Sequence, residues 1–220
     1  MRIIDNWLDD IPGPHRGQDV ILTGASLDAA AAAMIMIHGR GATADNILDL
    51  ANLFAAEGVA YLAPQAARNT WYPFSFLEPR ESNEPGLSSA HAAIAAIIAK
   101  LAERGIERER IILLGFSQGA CLATDHAARN PTRYAGVVGL SGGLIGDRID
   151  PEAYTGSLDG TPVYLGCSDI DPHIPEARVH QTAAVMEQLG AQVTTDIFPG
   201  MGHTIVREEV DRIQAILNAL

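Results

Sequence analysis

The chain has 220 residues, 47% of them hydrophobic, with 27 Asp and Glu against 15 Lys and Arg and a formal net charge of −12. That length accommodates one domain over residues 1–220 with a substantial core. An acidic chain with no basic stripe excludes phosphate-tracking nucleic-acid binding and offers anionic lipid headgroups no attraction.

The first thirty residues hold Pro12-Gly13-Pro14, which forbids regular structure, and Val20-Ile21-Leu22-Thr23, so one or two edge strands are expected there. The N-terminus carries Asp5, Asp9 and Asp10 and no apolar run of signal-peptide length. Residues 27–37 are alanine-heavy, interrupted by Asp28 and too short to span a bilayer, so a cytoplasmic protein without membrane insertion is expected. Met34-Ile35-Met36-Ile37 predicts a buried strand ending at His38-Gly39-Arg40-Gly41. Thr43 or Asp45 then caps a helix whose Ile47, Leu50, Ala51 and Phe54 share one face.

Residues 59–63 predict the next strand, stopped by Pro64. A long connection over 65–86 contains Pro73, Pro79 and Pro85 and crowds Trp71, Tyr72, Phe74 and Phe76 into six residues. Such a cluster either lines a pocket, with Trp71 and Phe74 as candidate substrate contacts, or covers the sheet edge. Leu87, Ile94, Ile97, Ile98 and Leu101 mark an amphipathic helix ending near Gly105. Beyond it, strands are predicted at 111–114, 136–140, 162–166 and 193–198, with helices at 120–128, 176–189 and 206–220. Strands alternating with helices imply right-handed crossovers and an α/β fold, a mostly parallel sheet covered on both faces. Cys121 falls in a helix and Cys167 at a strand end, so two buried thiols are expected and no disulfide.

Gly115-Phe116-Ser117-Gln118-Gly119 stands between the apolar run at 111–114 and the alanine-rich helix after it. A serine at the tip of a sharp strand-to-helix turn, with glycines two residues either side, is the pattern of a nucleophile elbow. Without its flanks, the same pattern is a tight turn with an idle serine. Side chains that do chemistry in such a sheet collect at the carboxyl ends of the strands. Asp169, Asp171 and His203 fall there too, in the order serine, acid, histidine that an α/β-hydrolase sheet requires.

A hydroxyl becomes a nucleophile when an imidazole takes its proton, and a carboxylate fixes and stabilises that imidazole. His203 is the candidate base. Asp171, held extended by Pro172, is favoured as the acid over Asp169, whose alternative role is to cap or brace the turn. The backbone N–H groups of Gln118 and Arg40 are the candidate oxyanion donors. His38 reads as structural, bonding its own loop.

Together, His38-Gly39-Arg40-Gly41, Gly115-Phe116-Ser117-Gln118-Gly119-Ala120, Leu140-Ser141-Gly142, Asp171-Pro172-His173-Ile174-Pro175 and Gly202-His203 resemble the phospholipase/carboxylesterase family of α/β-hydrolases. The likeness spans roughly residues 30 to 220, and the family includes bacterial carboxylesterases and acyl-protein thioesterases. It implies Ser117 as nucleophile, Asp171 as acid and His203 as base. The expected activity is hydrolysis of a small-molecule ester or thioester through an acyl-serine, with no cofactor and no metal. Arg40 stands where the family often has an apolar residue, and Cys167-Ser168 replaces its usual His-Gly. The Arg40 side chain then either recruits an anionic substrate group or points into solvent. The rivals are a non-catalytic ligand-binding homologue and a metal-dependent hydrolase, although the seven histidines show no zinc-type spacing. A homodimer is compatible with the sequence.

Overall fold

The computed structural model describes residues 2–4 and 6–220. Eight strands form one sheet: β1 (Arg2–Ile4), β2 (Val20–Gly24), β3 (Ala32–Ile37), β4 (Val59–Pro64), β5 (Ile111–Phe116), β6 (Gly136–Leu140), β7 (Pro162–Ser168) and β8 (Gln192–Phe198). Their spatial order is β1-β2-β4-β3-β5-β6-β7-β8. β1 and β2 pair antiparallel and β2 joins β4 antiparallel, while every other neighbour is parallel. Residues 20–23 are thus the strand expected from the sequence, but it is paired on both sides, and β1 alone is the edge strand at this end of the sheet. Pro64 does not stop β4 but ends it, opposite Val20. At a strand end its missing N–H costs little.

Five helices cover the sheet: α1 (Ala44–Leu48), α2 (Gly86–Ala102), α3 (Gln118–Arg129), α4 (Glu176–Gln188) and α5 (Arg207–Leu217). Alternation along β3 shows how the two faces are filled. Ala33, Ile35 and Ile37 join the core under α2, α3 and α4, whereas Ala32, Met34 and Met36 join the core under α1 and α5. A strand buried on both faces needs apolar residues throughout, and all six residues of β3 are buried.

The first helix is shorter than its periodicity suggested. Thr43 caps it reciprocally with Asn46, but α1 ends at Leu48 and a 3-10 turn over Asp49–Leu53 carries the chain to Phe54. Ile47 and Leu50 are still buried. No helix among the described residues is long and apolar enough to cross a membrane. Cys121 and Cys167 are both buried free thiols.

The parallel order places the carboxyl ends of β3, β5, β7 and β8 along one rim. Loops leaving that rim carry Arg40, Ser117, Asp171 and His203.

Candidate active site

The turn at Ser117 is sharp enough to strain its backbone, with φ 55° and ψ −120°, a region non-glycine residues seldom occupy. Closeness explains the glycines around it. A Cβ on Gly115 would run into the Gly119 carbonyl, and one on Gly119 into the Ile37 carbonyl, so strand, helix and neighbouring strand could not meet with larger residues. The Ser117 N–H is held by the Leu140 carbonyl at 2.9 Å.

Two further loops converge on this serine. His203 Nε2 lies 2.9 Å from Ser117 Oγ, and His203 Nδ1 lies 2.7 Å from Asp171 Oδ2. The other carboxylate oxygen of Asp171 accepts the N–H groups of His173 at 2.8 Å and Ile174 at 3.1 Å. Burial opposes the ionisation of Asp171, but the bond from His203 and those two N–H groups outweigh it and hold its pKa below the ordinary carboxylate value. Asp169 does not join this chain. Its Oδ1 accepts the N–H of Gly200 at 2.8 Å, and Ser168 Oγ donates to the Met201 carbonyl, so both secure the loop that presents His203. The His203 ring packs beside Phe116 at 4.9 Å and edge-on to His173 at 5.0 Å.

The backbone N–H groups of Arg40 and Gln118 are bonded to no acceptor among the described residues. Gln118 opens α3, where such N–H groups are left free and carry the positive end of the helix dipole. The Gln118 side chain is spent elsewhere. It accepts the Trp71 N–H at 2.9 Å and donates to the Tyr72 carbonyl at 2.8 Å, tying the aromatic loop to the elbow.

His38 is fully buried and braces its loop, with Nδ1–H donating to the Gly39 carbonyl at 2.8 Å and Nε2 accepting the Ala66 N–H at 3.1 Å. Burial pushes its pKa down, which suits a neutral ring making both bonds.

Ser117, Gln118, His203 and His173 line a cavity of about 380 Å³ whose floor includes Cys121. Burial pushes the Cys121 thiol up to about 12, so it is a neutral, inert surface. A larger open depression of about 640 Å³ lies against β8 and α5, lined by Asp196 and Arg212, and holds none of these groups.

The aromatic loop corrects one expectation. Trp71 and Phe74 do not line the cavity; Tyr72 and Phe76 do. Trp71 is fully buried, and its indole N–H donates to the His38 carbonyl at 2.9 Å. Phe74 is 57% exposed and is not part of the cleft lining. An indole carries a donor that must be satisfied once buried, and the bend at residues 38–39 supplies the acceptor. Arg40 does not simply point into solvent. Its guanidinium is folded back on the same loop, donating to the carbonyls of Pro73 at 2.9 Å and Phe74 at 2.6 Å.

The sheet order, the strained serine and the loops at one rim define an α/β-hydrolase fold. The sequence profile of the phospholipase/carboxylesterase family matches residues 20–220, so the chain belongs to that family. The match reaches ten residues further back than the motifs alone indicated and takes in β2. A phospholipase/carboxylesterase from Dyadobacter fermentans is 36% identical, with a TM-score of 0.88 over 91% of this chain and 96% of that one. The esterase PE8 is 25% identical, with a TM-score of 0.75 over 90% and 97%. Acyl-protein thioesterase 1 of Gibberella zeae is 31% identical over 143 residues, which are 63% of this chain and 60% of that protein. The chain therefore spans less than two thirds of the length of this curated relative.

Proposed function

We propose that the protein is a serine carboxylesterase that cleaves a small carboxylic ester or thioester through an acyl-Ser117 intermediate. His203 Nε2 takes the hydroxyl proton as Ser117 Oγ attacks the carbonyl carbon, then returns it to the departing alcohol or thiol. Water, deprotonated by the same nitrogen, releases the acid. Asp171 keeps Nδ1 protonated and stabilises the imidazolium in each half-reaction. The N–H groups of Arg40 and Gln118 hold the oxyanion. This chemistry requires no metal or cofactor.

The observation that carries the reading is the unbroken hydrogen-bond chain from Ser117 through His203 to Asp171, at 2.9 and 2.7 Å, opening onto a cavity. Burial of that cavity's floor and the two unspent N–H groups support it. The test is labelling with a fluorophosphonate probe followed by peptide mapping, with competition by 4-nitrophenyl esters and acyl thioesters. Label on Ser117, displaced by these substrates, is the expected result. Label on another residue, or none, overturns the mechanism.

A further inference from the structure

The cleft holds a charge that ester hydrolysis alone does not require. Arg40 is exposed, and it lines the same cavity as Ser117 and His203. Three hydrogen bonds hold the guanidinium still: Nη1 donates to Thr70 Oγ1 at 3.1 Å and to Pro73 O at 2.9 Å, and Nη2 donates to Phe74 O at 2.6 Å. It also stands 5.9 Å from the centroid of the Tyr72 ring. Every one of these partners is neutral. None of the ion pairs among the described residues includes Arg40.

A guanidinium has five N–H donors, and three bonds leave some of them unspent. No Asp or Glu lines the cavity; its other polar walls are hydroxyl, amide, thiol and imidazole. The Asp171 carboxylate is turned to His203 and to backbone N–H groups, outside that lining. A chain of net charge −12 thus presents an unpaired, pre-positioned cation inside its cleft. At physiological salt the general negative field is screened beyond about 8 Å, so contact with this cation governs an anion already in the cleft.

Topology says which arm of the substrate it meets. Arg40 enters from the loop after β3, on one side of β5, whereas His203 enters from the loop after β8, on the other side. His203 must face the leaving oxygen or sulfur, which leaves the carbonyl oxygen, held by the loop N–H groups, and the acyl arm for the side from which Arg40 enters. We propose that the natural substrate carries an anionic group, a carboxylate at the far end of a short acyl chain, and that Arg40 binds it. The inference deepens the esterase reading and rests on it. The donors left over, Nε–H and one on Nη2, form a rigid fork that can hold a planar carboxylate at two points, which a compact ammonium cannot do.

The experiment compares kcat/KM for 4-nitrophenyl hydrogen adipate with that for 4-nitrophenyl hexanoate, a neutral ester of equal chain length. It uses the wild-type protein, Arg40→Gln and Arg40→Lys. Because Arg40 also braces the 70–74 loop, rates on both esters fall in the glutamine variant, and the ratio between esters is the readout. We expect that ratio to fall about tenfold or more in Arg40→Gln and less in Arg40→Lys, which keeps the charge but not the fork. Raising salt to about 0.5 M compresses the wild-type ratio and leaves that of Arg40→Gln unchanged. A ratio equal in wild type and Arg40→Gln overturns this inference while leaving the esterase reading intact. No turnover of either ester, with Ser117 unlabelled by fluorophosphonate, overturns both. Should Arg40→Gln fail to fold, the lysine variant and the salt series decide.

Discussion

Two aspartate–histidine pairs lie within this fold, and they are equally sheltered. His203 and Asp171 have side chains 19% and 0% exposed, and His91 and Asp125 have 17% and 0%. Side-chain exposure to solvent therefore does not distinguish them, although Asp125 lies deeper in the protein than Asp171. What differs is the company each carboxylate keeps. Asp125, eight residues along from Ser117 on α3, receives His91 at 3.0 Å, Arg80 at 2.8 Å, Arg129 at 3.2 Å and the Ile145 N–H at 3.3 Å. Burial raises its pKa, but His91 and the two guanidinium groups more than reverse this and bring it to about 2. Asp171 faces no cation except the one His203 would become.

The far nitrogen of each ring completes the contrast. His203 Nε2 meets a hydroxyl, while His91 Nδ1 meets His126 at 3.3 Å, another imidazole that burial pushes down to about 3. A carboxylate shared among a ring and two arginines is not reserved for one imidazole, and a ring with no hydroxyl has nothing to activate. Asp125 instead joins three stretches of chain. Arg80 also donates to the Ile145 carbonyl, and Gly146 N–H bonds the carbonyl of Phe76, which lines the cleft.

The largest predicted effect tests the pair beside Ser117. Ser117→Ala should lower kcat by about 10⁴ or more with little change in stability, and Asp171→Asn by about 10³, because the amide no longer holds the ring in the right tautomer. Steady-state kinetics on a 4-nitrophenyl ester measures both. Loss of tenfold or less in either would erase the distinction between the pairs.

The static pair should behave in the opposite way. Asp125→Asn should destabilise by about 3–5 kcal/mol in urea unfolding, since it strands two guanidinium groups, while kcat falls by no more than about tenfold. The sign with pH follows from the shift. Asp125 is depressed from 3.8 to about 2, so its stabilisation is complete above about pH 4 and is lost as pH falls toward 2. The Asn variant should lack this part of the acid-unfolding limb, worth about 2 kcal/mol.

A third buried carboxylate sharpens the comparison by having no cation at all. Glu209 Oε2 accepts the Val206 N–H at 2.9 Å, three residues after His203, but its Oε1 and the nearby Tyr164 hydroxyl have no partner among the described residues. Burial raises its pKa to about 7, with Asp196 and Glu208 adding to the effect and the Val206 N–H opposing it. A carboxyl raised from 4.5 to about 7 costs nothing below pH 4.5, and its penalty on folding grows to completion above 7. Glu209→Gln should therefore raise stability by roughly 3 kcal/mol at pH 8 and leave it nearly unchanged at pH 4.5, measured by urea midpoint. A gain of equal size at both pH values would exclude this cause.

Much of the site was legible because its signals are local. The glycines about Ser117 answer a clash between adjacent segments, and the order of serine, acid and histidine follows from strands that alternate with helices. Asp171 was separable from Asp169 by its Pro172 and by resemblance, and the structure assigns Asp169 to bracing Gly200. The loop over 65–86 had no period to read. Which of four aromatics enters the cleft depends on distant acceptors, the His38 carbonyl for Trp71 and Gln118 for the loop backbone. His15 was missed altogether. It lies in the least patterned segment, yet it is buried, contacts the Trp71 carbonyl at 2.8 Å and accepts the Ala67 N–H at 3.1 Å.

By itself the sequence determined the layered α/β architecture, the sharp turn at Ser117 and the set of groups at the rim, since hydrophobic period, turn chemistry and chain order act over short spans. Only the tertiary structure decided which aromatics meet the cleft, where the Arg40 guanidinium is held and which of the buried carboxylates stands free of arginine. Those outcomes depend on satisfying buried donors and charges with partners far along the chain, and no local pattern encodes that pairing.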